Sequence, residues 1–151
     1  MNYSEMSDEE LRLLTAKRLG WTEIELEEWW EEGYGFGDFT RDYTGIPPCG
    51  KDGHERERVP LPDWTWRTEA AWQLFFSFTG EVHFKRNVRF DPLEAHWVVW
   101  EDDEFKFHEV HGSAYQNPAR TITIAWHTWM DQREQRASYS GADRTDAGAG
   151  D

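Results

Sequence analysis

The sequence has a single cysteine, Cys49, among its 151 residues. One thiol can form neither an internal disulfide nor a cysteine-based zinc cage. No apolar run approaches the ~18 residues of a membrane span. The acidic N-terminus also lacks the apolar segment of a signal peptide. These absences predict a soluble, cytoplasmic protein that does not bind membranes.

Cations are also scarce. Lysine and arginine number 16 against 30 aspartates and glutamates, which gives a net charge of −14. A chain this acidic repels DNA and RNA at long range, so no direct nucleic-acid partner is expected. It would attract a basic surface on a protein partner instead. The alternative is that the carboxylates only keep the protein soluble.

Aromatic residues, in contrast, are abundant at 16% of the chain, with 10 tryptophans. Each ring can bury a large apolar area, so residues 1–136 suffice for a single domain with its own core. Residues 137–151 are small, polar and glycine-rich, which predicts a disordered tail.

Capping signals mark the helices of the N-terminal third. Ser7 with Glu10 predicts a helix over 7–21, and a second capping box at Thr22 predicts a short acidic helix over 23–32. One face of this second helix would hold its apolar residues, Leu26, Trp29 and Trp30.

The most apolar helix pattern follows the prolines at 60 and 62. Thr65 is placed to cap it, and its apolar spacing predicts a central core helix over 65–78, covered on more than one side. Asn117 followed by proline predicts the start of a final helix that ends near Gln135. The glycine-rich segment 33–58 is predicted to be an irregular excursion.

Three strands are predicted between these last two helices. Residues 81–90 alternate in polarity, 96–101 form a continuous apolar run, and 104–111 return after an acidic turn. The sequence therefore predicts an α+β fold: a small antiparallel meander of three to four strands with helices on both faces, an α/β/α sandwich.

The histidines offer the most tempting chemistry. His108 and His111 flank Glu109, but residues three apart on a strand point to opposite faces, so no metal site is predicted. His127 and Asp131, one helical turn apart, would orient a catalytic histidine or form an ordinary surface pair.

Cys49 with His54 resembles a nucleophile and its base, yet nothing nearby completes the site. We therefore predict no catalytic residue, no metal and no cofactor, and a protein that is not an enzyme. A small hydrolase acting through its histidines remains the alternative.

Two surfaces are predicted to bind. The acidic segment would face a protein partner through Glu25, Glu27, Glu28, Glu31 and Trp30. A basic cluster would hold a nucleotide phosphate while a ring stacks on the base: Lys85, Arg86 and Arg89, with Trp64, Trp66 or Tyr115. Such a pocket would form between two copies of the chain in a homo-oligomer. The alternative for the basic cluster is charge balance against the acidic turn.

Several segments resemble the phage ABA sandwich domain family, small proteins of bacteriophages and prophages. They are MSDEELRLLTAKRLGW at 6–21, PDWTWRTEAAWQL at 62–74, the Trp/Phe-rich strands, and the Asn-Pro-Ala start of the last helix. The resemblance covers roughly 6–21 and 59–134. Arg67 departs from it, because the family has an acidic residue soon after the Ser/Thr cap.

This resemblance implies helices on both faces of a small antiparallel sheet, and it carries no catalytic residues. It also implies a phage accessory protein in the cytoplasm of the host cell. Such a protein would bind and neutralise a host factor, either a defence protein with a basic surface or a nucleotide immune signal. A purely structural phage interaction protein is the further alternative.

Overall fold

The computed structural model describes residues 1–32, 37–48, 57–86 and 95–148. These residues form three α-helices, a short 3-10 helix and two antiparallel sheets of three strands, so the predicted α+β class is confirmed. In chain order the elements are the 3-10 helix Tyr3–Glu5, α1 (Asp8–Arg18), β1 (Thr22–Glu32), β2 (Gly37–Ile46), β3 (Val59–Pro60), α2 (Thr68–Phe75), β4 (Val82–Arg86), β5 (His96–Glu101), β6 (Phe107–Gly112) and α3 (Pro118–Gly148). None of the helices in this described part has the length and hydrophobicity to cross a bilayer.

The first helix, α1, begins where its capping box predicts. Ser7 Oγ accepts a hydrogen bond from the backbone N–H of Glu10 at 3.1 Å, and the Glu10 carboxylate accepts one from the Ser7 N–H at 2.7 Å. These two bonds satisfy N–H groups that the first turn cannot pair within the helix. Leu11 on the inner side is fully buried. The predicted capping box is confirmed.

The acidic segment 23–32 is a strand, and the predicted helix is wrong. It lies in β1, which pairs with β2 along most of its length. In a helix its glutamates would stand one turn apart and repel each other, whereas a strand distributes them over two faces. Thr22 pairs in the sheet and caps no helix. A register shift follows it, where Glu23 has a φ of 50°.

The predicted irregular excursion over 33–58 is wrong for 37–46, which form β2, whereas 47–48 and 57–58 lie in no helix or strand. The two-residue strand β3 pairs with the other edge of β2, which gives the strand order β1-β2-β3. We call this the N-terminal sheet. Residues 33–36 and 49–56, including Cys49 and His54, lie outside the described part.

Helix α2 begins later than predicted. Its N-cap is Arg67, which makes no side-chain cap bond. The predicted cap, Thr65, is wrong: its hydroxyl donates to Asp63 Oδ1 at 3.0 Å and is buried. The carbonyl of Asp63 accepts the N–H of Arg67 at 2.8 Å, so a turn replaces the first helical turn. Phe76 is exposed just after the helix, so the apolar residues of this segment are not covered on all sides as predicted.

Strands β4, β5 and β6 form the predicted antiparallel meander, in that spatial order. On β5, Val98 and Trp100 are fully buried in one cluster with residues of α2 and α3. Trp97 stands on the opposite face, with Lys85 of β4 and His111 of β6 as its cross-strand partners. Residues 87–94, with Arg89 and the predicted turn at 91–92, lie outside the described part.

The central element of the core is α3, a place that the sequence analysis assigned to α2. Every residue from 121 to 127 is buried. The predicted start is confirmed, since Asn117 Oδ1 accepts the N–H of Ala119 at 3.0 Å and Pro118 occupies the first helical position. The helix continues to Gly148, beyond the predicted end near Gln135, and so includes part of the segment predicted to be a tail.

The helix α3 lies between the meander and α1. Its Ile122 and Trp126 join the cluster of Val98 and Trp100. On another side its Ile124 packs with Tyr3 and Leu11. Over 121–127 the helix is therefore buried on every side, and the polar Thr121, Thr123 and His127 are buried together with the apolar residues.

Candidate functional site

Strands β1 and β2 form a two-stranded ribbon, and one of its faces is acidic. There Glu23, Glu25 and Glu27 converge on Arg58, with N–O distances of 3.6, 3.7 and 3.7 Å. Arg58 Nη1 also donates to the carbonyl of Glu23 at 2.6 Å. One guanidinium therefore faces three partly solvated carboxylates, and this face keeps a net negative charge.

The opposite face of the ribbon carries exposed apolar side chains. The register places three cross-strand pairs on it: Leu26–Tyr43, Glu28–Arg41 and Trp30–Phe39. The rings of Trp30 and Phe39 lie 5.3 Å apart at an interplanar angle of 60°, and they remain 70% and 51% exposed. We call Leu26, Trp30 and Phe39 the apolar stripe. Exposed aromatic pairs of this kind mark interaction surfaces more often than solitary exposed rings do.

The predicted partner-binding residues all lie on β1, but a strand divides them between two faces. Glu25 and Glu27 lie on the acidic face with Arg58. Glu28 and Trp30 lie on the face of the apolar stripe, and Glu31 is on the same strand. The helical interpretation had also placed Trp29 on the face of Trp30, whereas adjacent residues of a strand point to opposite faces; Leu26 shares the face of Trp30 in both interpretations.

A cleft of about 490 Å³ lies between α1 and the apolar face of the ribbon. Its main lining residues are Asp8, Glu9 and Arg12 from α1, Leu26, Arg41 and Tyr43 from the ribbon, and Asp63 and Trp66 from the loop before α2. Trp66 is 65% exposed and also lines an adjacent recess of about 310 Å³, as does Tyr115. We call these two adjoining cavities the Trp66 groove.

Arg12 fixes one wall of the groove. Its Nη1 donates to Asp42 Oδ1 at 2.7 Å, its Nε donates to the carbonyl of Pro62 at 3.1 Å, and its Nη2 donates to the carbonyl of Leu61. Burial by itself would raise the pKa of Asp42, but hydrogen bonds from Arg12 and from the Tyr43 N–H outweigh burial, and the pKa is lowered. The guanidinium thereby ties α1, β2 and the loop before α2 together.

The described part of one chain does not bring together the residues predicted to bind a nucleotide. Trp64 is 1% exposed and belongs to the core, so its ring cannot stack on a base. Lys85 and Arg86 are exposed on β4, an edge strand, and neither lines the recess of Trp66 and Tyr115. The remaining cation of the predicted cluster, Arg89, lies outside the described residues.

Of the predicted histidine cluster, His108 is held in a polar relay. Trp100 Nε1 donates to Gln132 Oε1 at 3.1 Å, and Gln132 Nε2 lies 3.2 Å from His108 Nδ1. Because an indole can only donate, the amide is oriented with its NH₂ toward the histidine, so Nδ1 accepts. Nε2 then carries the proton and donates to Asp102 Oδ2 at 2.8 Å.

Both ring nitrogens of His108 are therefore engaged within the protein. Its bond to Asp102, with further bonds from the backbone N–H groups of Lys106 and Glu104, lowers the pKa of that carboxyl to about 2. The relay borders a cleft of about 840 Å³ beside α3, which Arg133 and Arg136 also line. Neither nitrogen is free to accept a proton from a substrate in this arrangement.

His111 is separated from His108 as predicted. Its Nε2 lies 2.9 Å from Glu109, and its ring stacks on Trp97, whereas the ring of His108 stacks on Trp100. No group of three potential metal-ligating side chains comes together among the residues that the structure describes.

His127 and Asp131 form neither of the pairs that the sequence suggested, because His127 is fully buried. Arg18 lies between them: its Nη1 donates to His127 Nδ1 at 2.9 Å and its Nη2 donates to Asp131. The hydroxyl of Thr15 donates to the Leu11 carbonyl, so it accepts from His127 Nε2 at 2.8 Å.

The Asp131 carboxylate also accepts a hydrogen bond from the Tyr3 hydroxyl. The ring of Tyr3 stacks on the ring of His127, with a distance of 5.0 Å between the ring centroids. Burial, followed by the hydrogen bond to Asp131, raises the pKa of Tyr3 to about 12. Burial and the charge of Arg18 lower the pKa of His127 to about 4. This buried network connects the 3-10 helix, α1 and α3, and its hydrogen bonds hold these three elements together.

The ribbon and the Trp66 groove were not predicted from the sequence. The signal for the ribbon was present, since Ile24 and Leu26 alternate with glutamates and Phe39, Arg41 and Tyr43 alternate on the partner strand.

Comparisons with known protein families, with curated proteins and with solved structures found no match.

Proposed function

We propose that this protein is a non-catalytic binding protein that engages a basic surface of another protein through its β1–β2 ribbon. The observation that carries the proposal is the exposed Trp30–Phe39 pair. A few residues carry most of the binding energy in protein interfaces, and tryptophan is among the residue types most enriched at these positions.

Charge supports the choice of a basic partner. Within the described part of the chain, Glu25 and Glu27 share one arginine, Arg58, on the acidic face of the ribbon, and Glu28 pairs with Arg41 at 3.5 Å on the other face. The whole chain carries a net charge of −14. A partner with a positive patch around an apolar recess would therefore be complementary in both charge and shape.

The resemblance to the phage ABA sandwich domain family extends the proposal to the identity of the partner. On that reading the protein acts in the host-cell cytoplasm and neutralises a host factor, such as a defence protein. The alternative of a hydrolase has less support, because both ring nitrogens of His108 are hydrogen-bonded to protein side chains and Glu109 is hydrogen-bonded to His111.

The first test captures partners from a bacterial lysate on immobilised protein and compares wild type with two variants. Trp30→Ala/Phe39→Ala removes the ring pair from the ribbon. Phe105→Ala/Phe107→Ala, the matched control, removes two similarly exposed rings from the meander. We expect a protein that wild type and the control retain and that the ribbon variant loses, with its affinity reduced about 30-fold or more. Equal capture by all three proteins, or capture by none, would refute the proposal.

The second test examines the acidic residues by association kinetics with the captured protein. Replacing Glu25, Glu27, Glu28 and Glu31 by glutamine should slow association while dissociation changes little, because solvated charges act mainly on the encounter. The effect should vanish at 1 M salt, where the screening length is ~3 Å. The matched control carries the same total charge through glutamines at Glu5, Glu57, Glu69 and Glu81. If the control slows association equally, only the net charge matters.

A further inference from the structure

The Trp66 groove continues the surface of the ribbon. Leu26, Arg41 and Tyr43 line its larger recess and belong to the face that carries Trp30 and Phe39. Trp66 borders both recesses, and Tyr115 stands at the far end, 89% exposed. Exposed apolar side chains therefore follow one another from the ribbon, past α1, to the loop before α3.

The backbone that presents Trp66 is held from two sides. Its carbonyl accepts the side-chain N–H of Asn117 at 2.8 Å, and its own N–H donates to the carbonyl of Asp63 at 3.3 Å. Arg120 closes the smaller recess by donating to Asp8 and to the carbonyl of Met6, both at 2.6 Å. The walls are thus fixed by the fold, which reduces the entropy that a ligand must lose on binding.

The groove is acidic. Its larger recess is lined by the carboxylates of Asp8, Glu9, Asp42 and Asp63. Arg12 pairs with Asp42, Arg120 pairs with Asp8, and Arg41 pairs with Glu28. Glu9 and Asp63 accept only the neutral hydroxyls of Tyr43 and Thr65 among the described residues, so these two carboxylates keep the negative charge of the recess. An exposed indole between such carboxylates suits a guanidinium or ammonium group, because the ring face attracts a cation and the carboxylates pair with it.

We propose that the Trp66 groove binds an extended, arginine- or lysine-rich segment of the partner protein. Two recesses on either side of one ring suit the side chains of an extended chain, in which alternate residues point the same way about 7 Å apart. This inference rests on the proposed function, since ribbon and groove would engage the same partner. It adds the chemistry and the conformation of the segment that is bound.

The test uses the full chain and three fluorescent peptides of nine residues with serine at the even positions. The odd positions hold arginine, neutral citrulline of the same shape, or glutamate. Binding is measured by anisotropy and by the indole N–H signals of ¹⁵N-labelled protein, with the Trp66 signal assigned from Trp66→Phe. We expect the arginine peptide to bind and to shift that signal, while the citrulline and glutamate peptides bind at least tenfold more weakly.

The variants separate the groove from general charge attraction. Trp66→Ala should weaken the arginine peptide about tenfold, whereas Phe76→Ala, which removes another exposed ring, and Trp66→Phe, which keeps a ring, should stay within about twofold of wild type. Circular dichroism checks that each variant is folded. No binding of the arginine peptide by wild type, or equal binding by Trp66→Ala, would overturn the inference.

The outcome is independent of the lysate experiment. Trp30→Ala/Phe39→Ala leaves the groove intact, so it should bind the arginine peptide as wild type does. If partner capture depends on the ribbon but not on Trp66, the inference about the groove fails while the proposed function stands. If the peptide binds at Trp66 but no partner depends on the ribbon, the proposed function fails instead.

Discussion

The buried His127 should make the stability of the protein depend on pH. Its pKa is about 4 in the folded protein, against 6.5 for an ordinary histidine. Between pH 6.5 and pH 4 the histidine is therefore protonated in the unfolded chain but neutral in the folded protein. The free energy of unfolding falls as the pH drops through this range. The difference of about 2.5 pH units corresponds to about 3 kcal/mol in total, of which about 2 kcal/mol is lost between pH 7 and pH 5.

The assay is urea unfolding at pH 7 and pH 5, followed by circular dichroism. The pKa of the buried His96 is lowered too, so wild type should lose at least about 2 kcal/mol between the two pH values. His127→Gln, which keeps a donor for Thr15, should lose about 2 kcal/mol less than wild type. His83→Gln is the matched control, since His83 is exposed beside Glu81 and should leave the wild-type loss unchanged. An equal loss in wild type and His127→Gln would refute the reasoning.

Three further predictions concern the framework that positions the surface. Arg18→Met should lower the free energy of unfolding by about 2–4 kcal/mol in urea, because it leaves a buried histidine nitrogen and a carboxylate without their donor. Gly112→Ala should destabilise by about 1–3 kcal/mol or more, since its Cβ would lie 2.2 Å from both His96 Nε2 and Thr121 Oγ1; an unchanged melting temperature would contradict this. Ser7→Ala should cost about 1 kcal/mol in thermal unfolding through the lost cap, and Ser7→Asp should restore most of it.

The acidic segment shows why local sequence could not settle the fold. Thr22 with Glu25 matches a helical capping box, and Leu26, Trp29 and Trp30 match helical spacing, yet Ile24 and Leu26 also alternate with glutamates. Both periods were present, and the choice between them depends on β2, whose pairing satisfies the backbone groups of β1. Because 33–58 were predicted to be irregular, the sequence analysis offered β1 no partner strand, and a capping signal reports nothing about pairing between strands.

The candidate surface was predictable only in part. Trp30 and the glutamates around it were identified as partner-binding from charge and aromatic content. Trp66 and Tyr115 were identified as available rings, but for a phosphate ligand beside Lys85. The structure instead brings the carboxylates of α1 to Trp66. Those residues are more than 50 positions apart in the chain, so only the packing of α1 against α3 and the ribbon brings them together.

The sequence by itself determined the features that depend on neighbouring residues. The capping box at Ser7, the start of α3 at Pro118 and the bounds of β5 follow from hydrogen bonds and hydrophobic runs that are local in the chain. The antiparallel meander follows as well, because its strands are consecutive and joined by short segments.

Only the tertiary structure decided which helix is central and which histidines are buried. The apolar residues of α2 formed the stronger sequence pattern, but α3 lies between α1 and the meander and is enclosed on all sides over 121–127. His127 is buried because Thr15 and Arg18, from a helix more than 100 residues earlier, satisfy both of its nitrogens. A polar side chain enters a core only where distant residues complete its hydrogen bonds, so its burial cannot be read from its own segment.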